Sequence, residues 1–182
     1  MASNRFVALL RGVNVGGRNP VSMSDLREAF QEEGHRDVRT YIQSGNVLFR
    51  SDSDRDALEG ELEVMLERRL GVPLVVVVRS HRQLRNIVDR SPHGFGKAPD
   101  LYHSDVIFLK APLSAKQAMR VVETREGVDQ VWPGTGVLYF ARLSARRTQT
   151  KMGSIVGTPE YRLMTIRSWS TTTKLLGLLD EH

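Results

Sequence analysis

The sequence predicts a mixed α/β (α+β) protein made of two similar halves. Apolar runs and helical patterns alternate in the order β-α-β-β-α-β-α over residues 1–91. The same order returns over residues 104–182, at an offset of about 90 residues. This is the order of two tandem ferredoxin-like βαββαβ units, each with an extra helix. Residues 92–103, which are rich in Gly and Pro, are predicted to link them.

The elements of the first half each have a local signal. Strands are predicted at residues 6–10, 38–42, 47–49 and 73–78. The run of valines in the last of them is typical of a strand that is covered on both faces. Helices are predicted to begin at Ser22, near residue 54 and at Ser80, and Gly34, Gly71 and Pro92 follow their ends. Ser53 and Asp56 have the spacing of a capping box for the second helix.

The second half repeats this series with different residues. Strands are predicted at residues 106–109, 128–132, 137–141 and 163–167. Helices are predicted from Ser114, near residues 151–160 and from Ser170. Residues 133–136, Pro-Gly-Thr-Gly, form the turn of the second hairpin.

The positive charge is concentrated in two segments. The chain has a formal net charge of +5, to which residues 1–24 contribute three arginines and no acid. Residues 139–174 contain seven basic residues against Glu160 alone. If these segments meet in space, they make a basic face suited to phosphate groups, small or polymeric. A general bias toward arginine would also explain the charge.

Composition excludes several classes of site. The chain has no cysteine, so disulfides, thiolate catalysis and cysteine-based zinc sites are ruled out. The five histidines show no spacing typical of metal ligands, and we expect no metal site. No apolar run approaches the roughly 20 residues that cross a bilayer. We therefore expect a cytoplasmic protein that does not associate with membranes.

A glycine-rich loop follows the first strand. Residues 11–19 read RGVNVGGRN and have the frame of a phosphate-binding P-loop. Arg18 and Asn19 stand where nucleotide hydrolysis needs Lys and a Ser or Thr hydroxyl, which argues against that chemistry. Two interpretations remain: an anion site using backbone N–H groups, or a structural turn. The candidate ligand-binding residues of the loop are Arg11, Asn14, Gly16, Gly17, Arg18 and Asn19.

The first hairpin adds two candidates, Ser44 and Asn46. A turn role is sufficient to explain both residues. A role in binding requires the hairpin turn to lie near the glycine-rich loop. We expect these two segments at opposite ends of the strands, and therefore no direct contact between them.

Residues 167–174, RSWSTTTK, combine an indole, hydroxyl groups at a helix start and two cations. The candidate ligand-binding residues of this segment are Arg167, Trp169, Thr171 and Lys174. Alternatively, Trp169 belongs to the core and Ser170 is an ordinary helix cap. Lys151, beside Thr150, is a further candidate because a lysine amine can activate a neighbouring hydroxyl, although most exposed pairs of this kind are only solvated.

Three segments together resemble the bacterial domain-of-unknown-function family 1697 (DUF1697): residues 11–19, residues 41–47 (YIQSGNV) and residues 167–175. The resemblance implies a small cytoplasmic bacterial protein of two α/β halves and implies no activity. The late motif of the family usually reads Arg-Asn-Trp-Asn-Thr. This chain has Ser168 and Ser170 in place of the two amides, whereas Arg167, Trp169, Thr171 and Lys174 match.

Three functions follow as hypotheses. The first is a binding or catalytic site for a phosphate-bearing small molecule or nucleotide, where the glycine-rich loop meets basic residues of the second half. The second is binding of the nucleic-acid backbone without catalysis. The third is an interaction module whose glycines are purely structural. The sequence does not identify a reaction type, a cofactor or an oligomeric state.

Overall fold

The computed structural model describes residues 4–18 and 20–181. The strands are β1 (Arg5–Leu10), β2 (Arg36–Tyr41), β3 (Asn46–Arg50), β4 (Val76–Ser80), β5 (Tyr102–Leu109), β6 (Asp129–Pro133), β7 (Val137–Leu143) and β8 (Met164–Ser168). The α-helices are α1 (Met23–Glu32), α2 (Arg55–Leu70), α3 (His81–Asp89), α4 (Ala115–Val121) and α5 (Trp169–Asp180). Three 3₁₀ helices span Ser144–Gln149, Met152–Gly157 and Pro159–Leu163.

The strands form two four-stranded antiparallel sheets, in the orders β2-β3-β1-β4 and β6-β7-β5-β8. The predicted α+β class is confirmed. That both halves are copies of one ferredoxin-like unit stays a prediction. No helix within residues 4–18 and 20–181 has the length and apolar character needed to cross a membrane.

Internal contacts divide the chain into two units. One comprises Met1–Arg85 together with Leu175–His182, and the other comprises Asn86–Lys174. The division falls within α5, because Lys174 and Leu175 are neighbours in that helix. The sequence-based boundaries, 1–91 and 104–182 with a linker at 92–103, stay a prediction. β5 already begins at Tyr102, inside the expected linker.

The first sheet carries α1 and α2 on one face. Side chains alternate along each strand, so Phe6, Ala8 and Leu10 join the helix-side core. Val7 and Leu9, on the opposite face, are also buried. Both faces of β1 are therefore covered, as its continuous apolar run predicts.

The helix ends of the first unit depend on local chemistry. Ser22 caps α1 as predicted, because its hydroxyl accepts from the N–H of Asp25 at 3.4 Å. The prediction that Ser53 caps α2 is wrong: the carboxylate of Asp54 accepts from the N–H of Asp56 at 2.8 Å. Gly71, at φ +69°, ends α2 in the left-handed conformation that glycine favours.

The second unit departs from the prediction between β7 and β8. The helix expected near residues 151–160 is absent, and the three 3₁₀ helices occupy residues 144–163 instead. Gly153 and Gly157 weaken a continuous α-helix, and Pro159 cannot donate to it.

The start of α5 also differs from the prediction. The helix begins at Trp169, and the hydroxyl of Ser168 accepts from the N–H of Thr171 at 3.2 Å. Ser168 therefore caps the helix, and Ser170 lies inside its first turn. The hydroxyl of Ser80 accepts from the N–H of Gln83 at 3.2 Å before α3, which confirms the predicted cap there.

Candidate functional site

The glycine-rich loop has an unusual backbone. The φ angles are +70°, +56°, +57° and +73° at Gly12, Asn14, Gly16 and Gly17. The N–H of Arg18 donates to the carbonyl of Val15 at 3.0 Å, so residues 15–18 form a tight turn with Gly16 and Gly17 at its centre. A Cβ added at either glycine would meet nothing within 4 Å. Backbone conformation, and not crowding, therefore requires glycine at both positions.

Asn14 fixes the shape of the loop. Its Nδ2 donates to the carbonyls of Val21 at 3.0 Å and Gln43 at 2.9 Å. Its Oδ1 accepts from the N–H of Val21 at 2.8 Å. Both N–H bonds of the amide are used inside the protein, so Asn14 ties the loop to Val21, which follows it, and to the first hairpin.

The hairpin turn lies against the loop, and the expectation that these segments occupy opposite ends of the strands is wrong. α1 returns the chain across the sheet so that β2 runs in the same direction as β1, and the segments that follow β1 and β2 share one end. The N–H of Leu10 donates to the carbonyl of Gly45 at 2.8 Å. A Cβ at Gly45 would lie 2.9 Å from the Cβ of Leu10, so this close approach requires glycine.

The two hairpin candidates form the turn itself. Asn46 is fully buried, and its Nδ2 donates to the carbonyl of Tyr41 at 3.0 Å and to the hydroxyl of Ser44 at 2.9 Å. Ser44 is half-buried. Asn46 therefore has the turn role that the sequence suggests.

The outer part of the loop is positively charged. Arg18 is exposed, and its guanidinium forms no ion pair with any described residue. Within residues 4–18 and 20–181, the N–H groups of Gly16 and Gly17 also have no hydrogen-bond partner. Arg11 is half-buried, and its N–H donates to the carbonyl of Val75 at 2.9 Å. Asn19 lies outside the described residues.

Arg167 is buried, with 8% of its surface exposed. Its Nη1 donates to the hydroxyl of Thr165 and to the carbonyl of Ile166, both at 2.9 Å. Burial lowers the pKa of Arg167 to about 10, since desolvation disfavours the cation. The guanidinium is thus bonded to its own strand.

Sequence reasoning missed the counterpart of Arg167 in β4. Arg79 is also 8% exposed, and its Nη1 donates to the carbonyl of Val78 at 2.8 Å. Burial again lowers the pKa of this side chain. The available signal was the dipeptide Arg-Ser, which ends β4 and β8 and precedes a helix in both cases.

Trp169 lines a cleft in the second unit. Its ring centroid lies 5.1 Å from that of Phe95 in an edge-to-face arrangement. A Cβ at Gly96 would lie 2.0 Å from Cδ1 of the indole. The cleft measures about 390 Å³, and hydroxyls of Ser168, Ser170 and Thr173 line it with Tyr102. Residues of the predicted linker therefore help to hold this indole, which the sequence did not reveal.

The remaining candidates are held by neighbouring residues or are solvated. Lys151 Nζ lies 3.4 Å from the carboxylate of Glu123. The hydroxyl of Thr150 donates to Asp129 at 2.6 Å. The Thr171 hydroxyl accepts from Ser168 at 3.0 Å, and Lys174 is exposed.

The structure thus joins one set of candidates within the first unit. The glycine-rich loop and the turn containing Ser44 and Asn46 share backbone and side-chain hydrogen bonds. Arg167, Trp169, Thr171, Lys174 and Lys151 belong to the second unit. Among the described residues, no group of three potential metal-binding side chains is found.

Comparison with known proteins gives a family and no activity. No curated protein matches the chain significantly. The structure of a conserved bacterial protein from Streptococcus pneumoniae is similar, with a TM-score of 0.84, 26% sequence identity, and coverage of 98% of this chain and 99% of that chain. The family model described as "Protein of unknown function (DUF1697)" matches residues 3–139, which include the glycine-rich loop and the hairpin turn. This chain therefore belongs to the DUF1697 family.

Proposed function

We propose that this protein binds a phosphate-bearing small molecule or nucleotide at the glycine-rich loop, and that it does so in the cytoplasm. The observation that carries the proposal is the pair of exposed glycine N–H groups beside an uncompensated arginine. Backbone N–H groups in a turn are suited to anions, and a nearby guanidinium adds charge-assisted hydrogen bonds.

The hydrogen bonds beneath the loop support this proposal. Asn14 and the hairpin turn hold the backbone in place before any ligand arrives. A ligand that meets a preformed site loses less free energy to ordering the protein. The loop offers N–H donors and cations and no acid, which favours an anion over a cation or a neutral ligand.

Isothermal titration with inorganic phosphate and with adenosine monophosphate tests the proposal. We expect the wild type to bind, and Arg18→Ala to bind at least about tenfold more weakly, because a charge-assisted hydrogen bond contributes about 1.5–3 kcal/mol. Arg125→Ala, which removes the same charge from an exposed position in the second unit, serves as the matched control. Equal affinity of wild type and Arg18→Ala would show that Arg18 does not contribute to phosphate binding and would contradict the proposed site.

Binding to the nucleic-acid backbone is the second candidate, and the net charge of +5 favours it. It requires that the logarithm of the affinity fall with the logarithm of salt concentration by about 0.9 for each phosphate neutralised. A fluorescence-anisotropy titration with duplex and single-stranded oligonucleotides measures this slope. A response independent of salt, or no binding, would remove this candidate.

A further inference from the structure

The two sheets are covered differently on the side of their helices. In the first unit, the connection between β3 and β4 is α2, which spans 16 residues. Four of its side chains are buried in the core: Leu58, Leu62, Met65 and Leu66. In the second unit, the corresponding connection between β7 and β8 consists of three 3₁₀ helices, and of residues 144–163 only Ile155 is buried.

This thinner cover leaves a cavity of about 390 Å³. Its wall is mostly apolar and includes Met152, Ile155, Tyr161 and Ile166. The volume lies within the range of about 300–1,000 Å³ that is usual for small-molecule sites. Val156, which also lines it, is 60% exposed, so the cavity opens to solvent.

Two arginines, Arg142 and Arg147, line the same cavity. Nη1 of Arg142 lies 3.1 Å from the carboxylate of Asp105, which balances its charge. Arg147 is exposed and forms no ion pair with a residue that the structure describes.

A further acid, Asp129 in β6, does not balance Arg147. Asp129 lies opposite Arg142 in the pairing of β6 with β7. The residue is 7% exposed, and its carboxylate accepts three hydrogen bonds, from the N–H of Arg125, the hydroxyl of Thr150 and the N–H of Lys151. One positive charge therefore remains uncompensated beside an apolar cavity.

We propose that this cavity binds a small amphipathic anion, with the anionic group on Arg147 and an apolar body against Ile155, Tyr161 and Ile166. Burial of the apolar body supplies most of the binding free energy, and the guanidinium selects a charged headgroup. The site lies wholly within the second unit and does not depend on the glycine-rich loop.

The chain offers matched variants for the test. Arg147→Ala removes the charge at the cavity. Arg146→Ala removes the same charge from the adjacent position, where the side chain donates to Gln149 at 2.8 Å and does not line the cavity. Gly153→Phe fills the cavity: an added Cβ there meets nothing within 4 Å, and the backbone is not left-handed, so we expect the variant to fold.

Isothermal titration with four probes separates the contribution of the anionic group to binding from that of the apolar body. Decanoate and 2-naphthoate carry an anion on a chain and on a ring, decanol lacks the charge, and acetate lacks the apolar body. We expect at least one of the first two to bind the wild type, with affinity reduced at least about tenfold by Arg147→Ala and unchanged by Arg146→Ala. Gly153→Phe abolishes binding in a folded protein, as checked by circular dichroism.

Three results would overturn this proposal: no binding of either amphipathic anion, equal binding of decanol, or equal loss in the Arg146 and Arg147 variants. Inorganic phosphate binding to the glycine-rich loop is measured on the same proteins. Because Arg18→Ala affects that loop alone, failure of one site is distinguishable from failure of the other.

Discussion

Gly96 and Gly94 share a left-handed backbone and differ in their surroundings. Their φ angles are +72° and +78°. A Cβ at Gly96 would lie 2.0 Å from the indole of Trp169, whereas one at Gly94 would meet nothing within 4 Å. Gly96 is therefore required both by its left-handed backbone and by the close approach of Trp169, whereas Gly94 is required by its backbone alone.

This difference predicts two unequal losses of stability. Gly94→Ala should cost about 1–2 kcal/mol, the penalty of a left-handed backbone. Gly96→Ala should cost about 1–3 kcal/mol more, because the indole must move. Urea unfolding of both variants measures the difference. Equal losses would mean that Trp169 relaxes without cost, and that Gly96 does not fix its position.

His35 makes the stability of the first unit depend on pH. Its ring is buried and packs 5.0 Å from Phe49 and 5.6 Å from Phe30, measured between centroids. Burial lowers the pKa of His35 below its ordinary value of 6.5, although the charges of Glu33 and Glu61 oppose the shift. The unfolded chain therefore takes up a proton at a higher pH than the folded chain does.

It follows that the stabilisation due to neutral His35 is complete above about pH 6.5 and is lost as the pH falls below that value. His35→Gln keeps a polar side chain and removes the titration. We expect the stability difference between wild type and this variant to shrink between pH 7.5 and pH 5, as measured by urea unfolding. A difference that is constant over this range would show that His35 is protonated without penalty.

Asn14 holds the glycine-rich loop in place by hydrogen bonds to Val21 and to the first hairpin. Asn14→Gly keeps the left-handed backbone and removes three hydrogen bonds, so the loss reports on the side chain alone. We expect a cost of about 1–3 kcal/mol and faster hydrogen exchange at the N–H of Val21. Asn14→Asp keeps the acceptor for Val21 but sets a carboxylate oxygen against the carbonyls of Val21 and Gln43, so we expect it to cost at least as much as Asn14→Gly. Unchanged exchange in Asn14→Gly would show that the loop holds its shape without the amide.

The connection between β7 and β8 shows why one element was predicted wrongly. A helical pattern near residues 151–160 competes there with Gly153, Gly157 and Pro159, which disfavour a helix. The start of this segment is also held from β6, because the carboxylate of Asp129 accepts from the hydroxyl of Thr150 and from the N–H of Lys151. A hydrogen bond between residues 21 or 22 positions apart leaves no periodic signal in the sequence.

For the chain as a whole, the sequence predicts the order of most helices and strands, but it does not predict which of them contact one another. Apolar runs and capping serines locate most strands and helices because these signals are local. The contact between the glycine-rich loop and the turn at Gly45 depends on β1 and β2 running in the same direction. The sequence-based expectation placed the segments that follow them at opposite ends of the sheet. Likewise, Phe95 and Gly96 support Trp169 from about 73 positions away.

The sequence shows which residue types the candidate site contains. It does not show which of these residues bond inside the protein and which remain exposed to a ligand. The sequence marks Asn14, Asn46 and Arg167 as possible ligand contacts because of their residue types. In the folded chain, each of them bonds to its own unit. Gly16, Gly17 and Arg18 are left facing outward, which narrows the proposed anion site to three neighbouring residues.

The most direct test of anion binding at these residues is nuclear magnetic resonance of the ¹⁵N-labelled protein titrated with inorganic phosphate. We expect saturable shifts of the Gly16 and Gly17 N–H signals that are weakened in Arg18→Ala and retained in Arg125→Ala. If phosphate leaves both glycine signals unchanged at concentrations that shift N–H signals elsewhere in the chain, the loop is not the anion site.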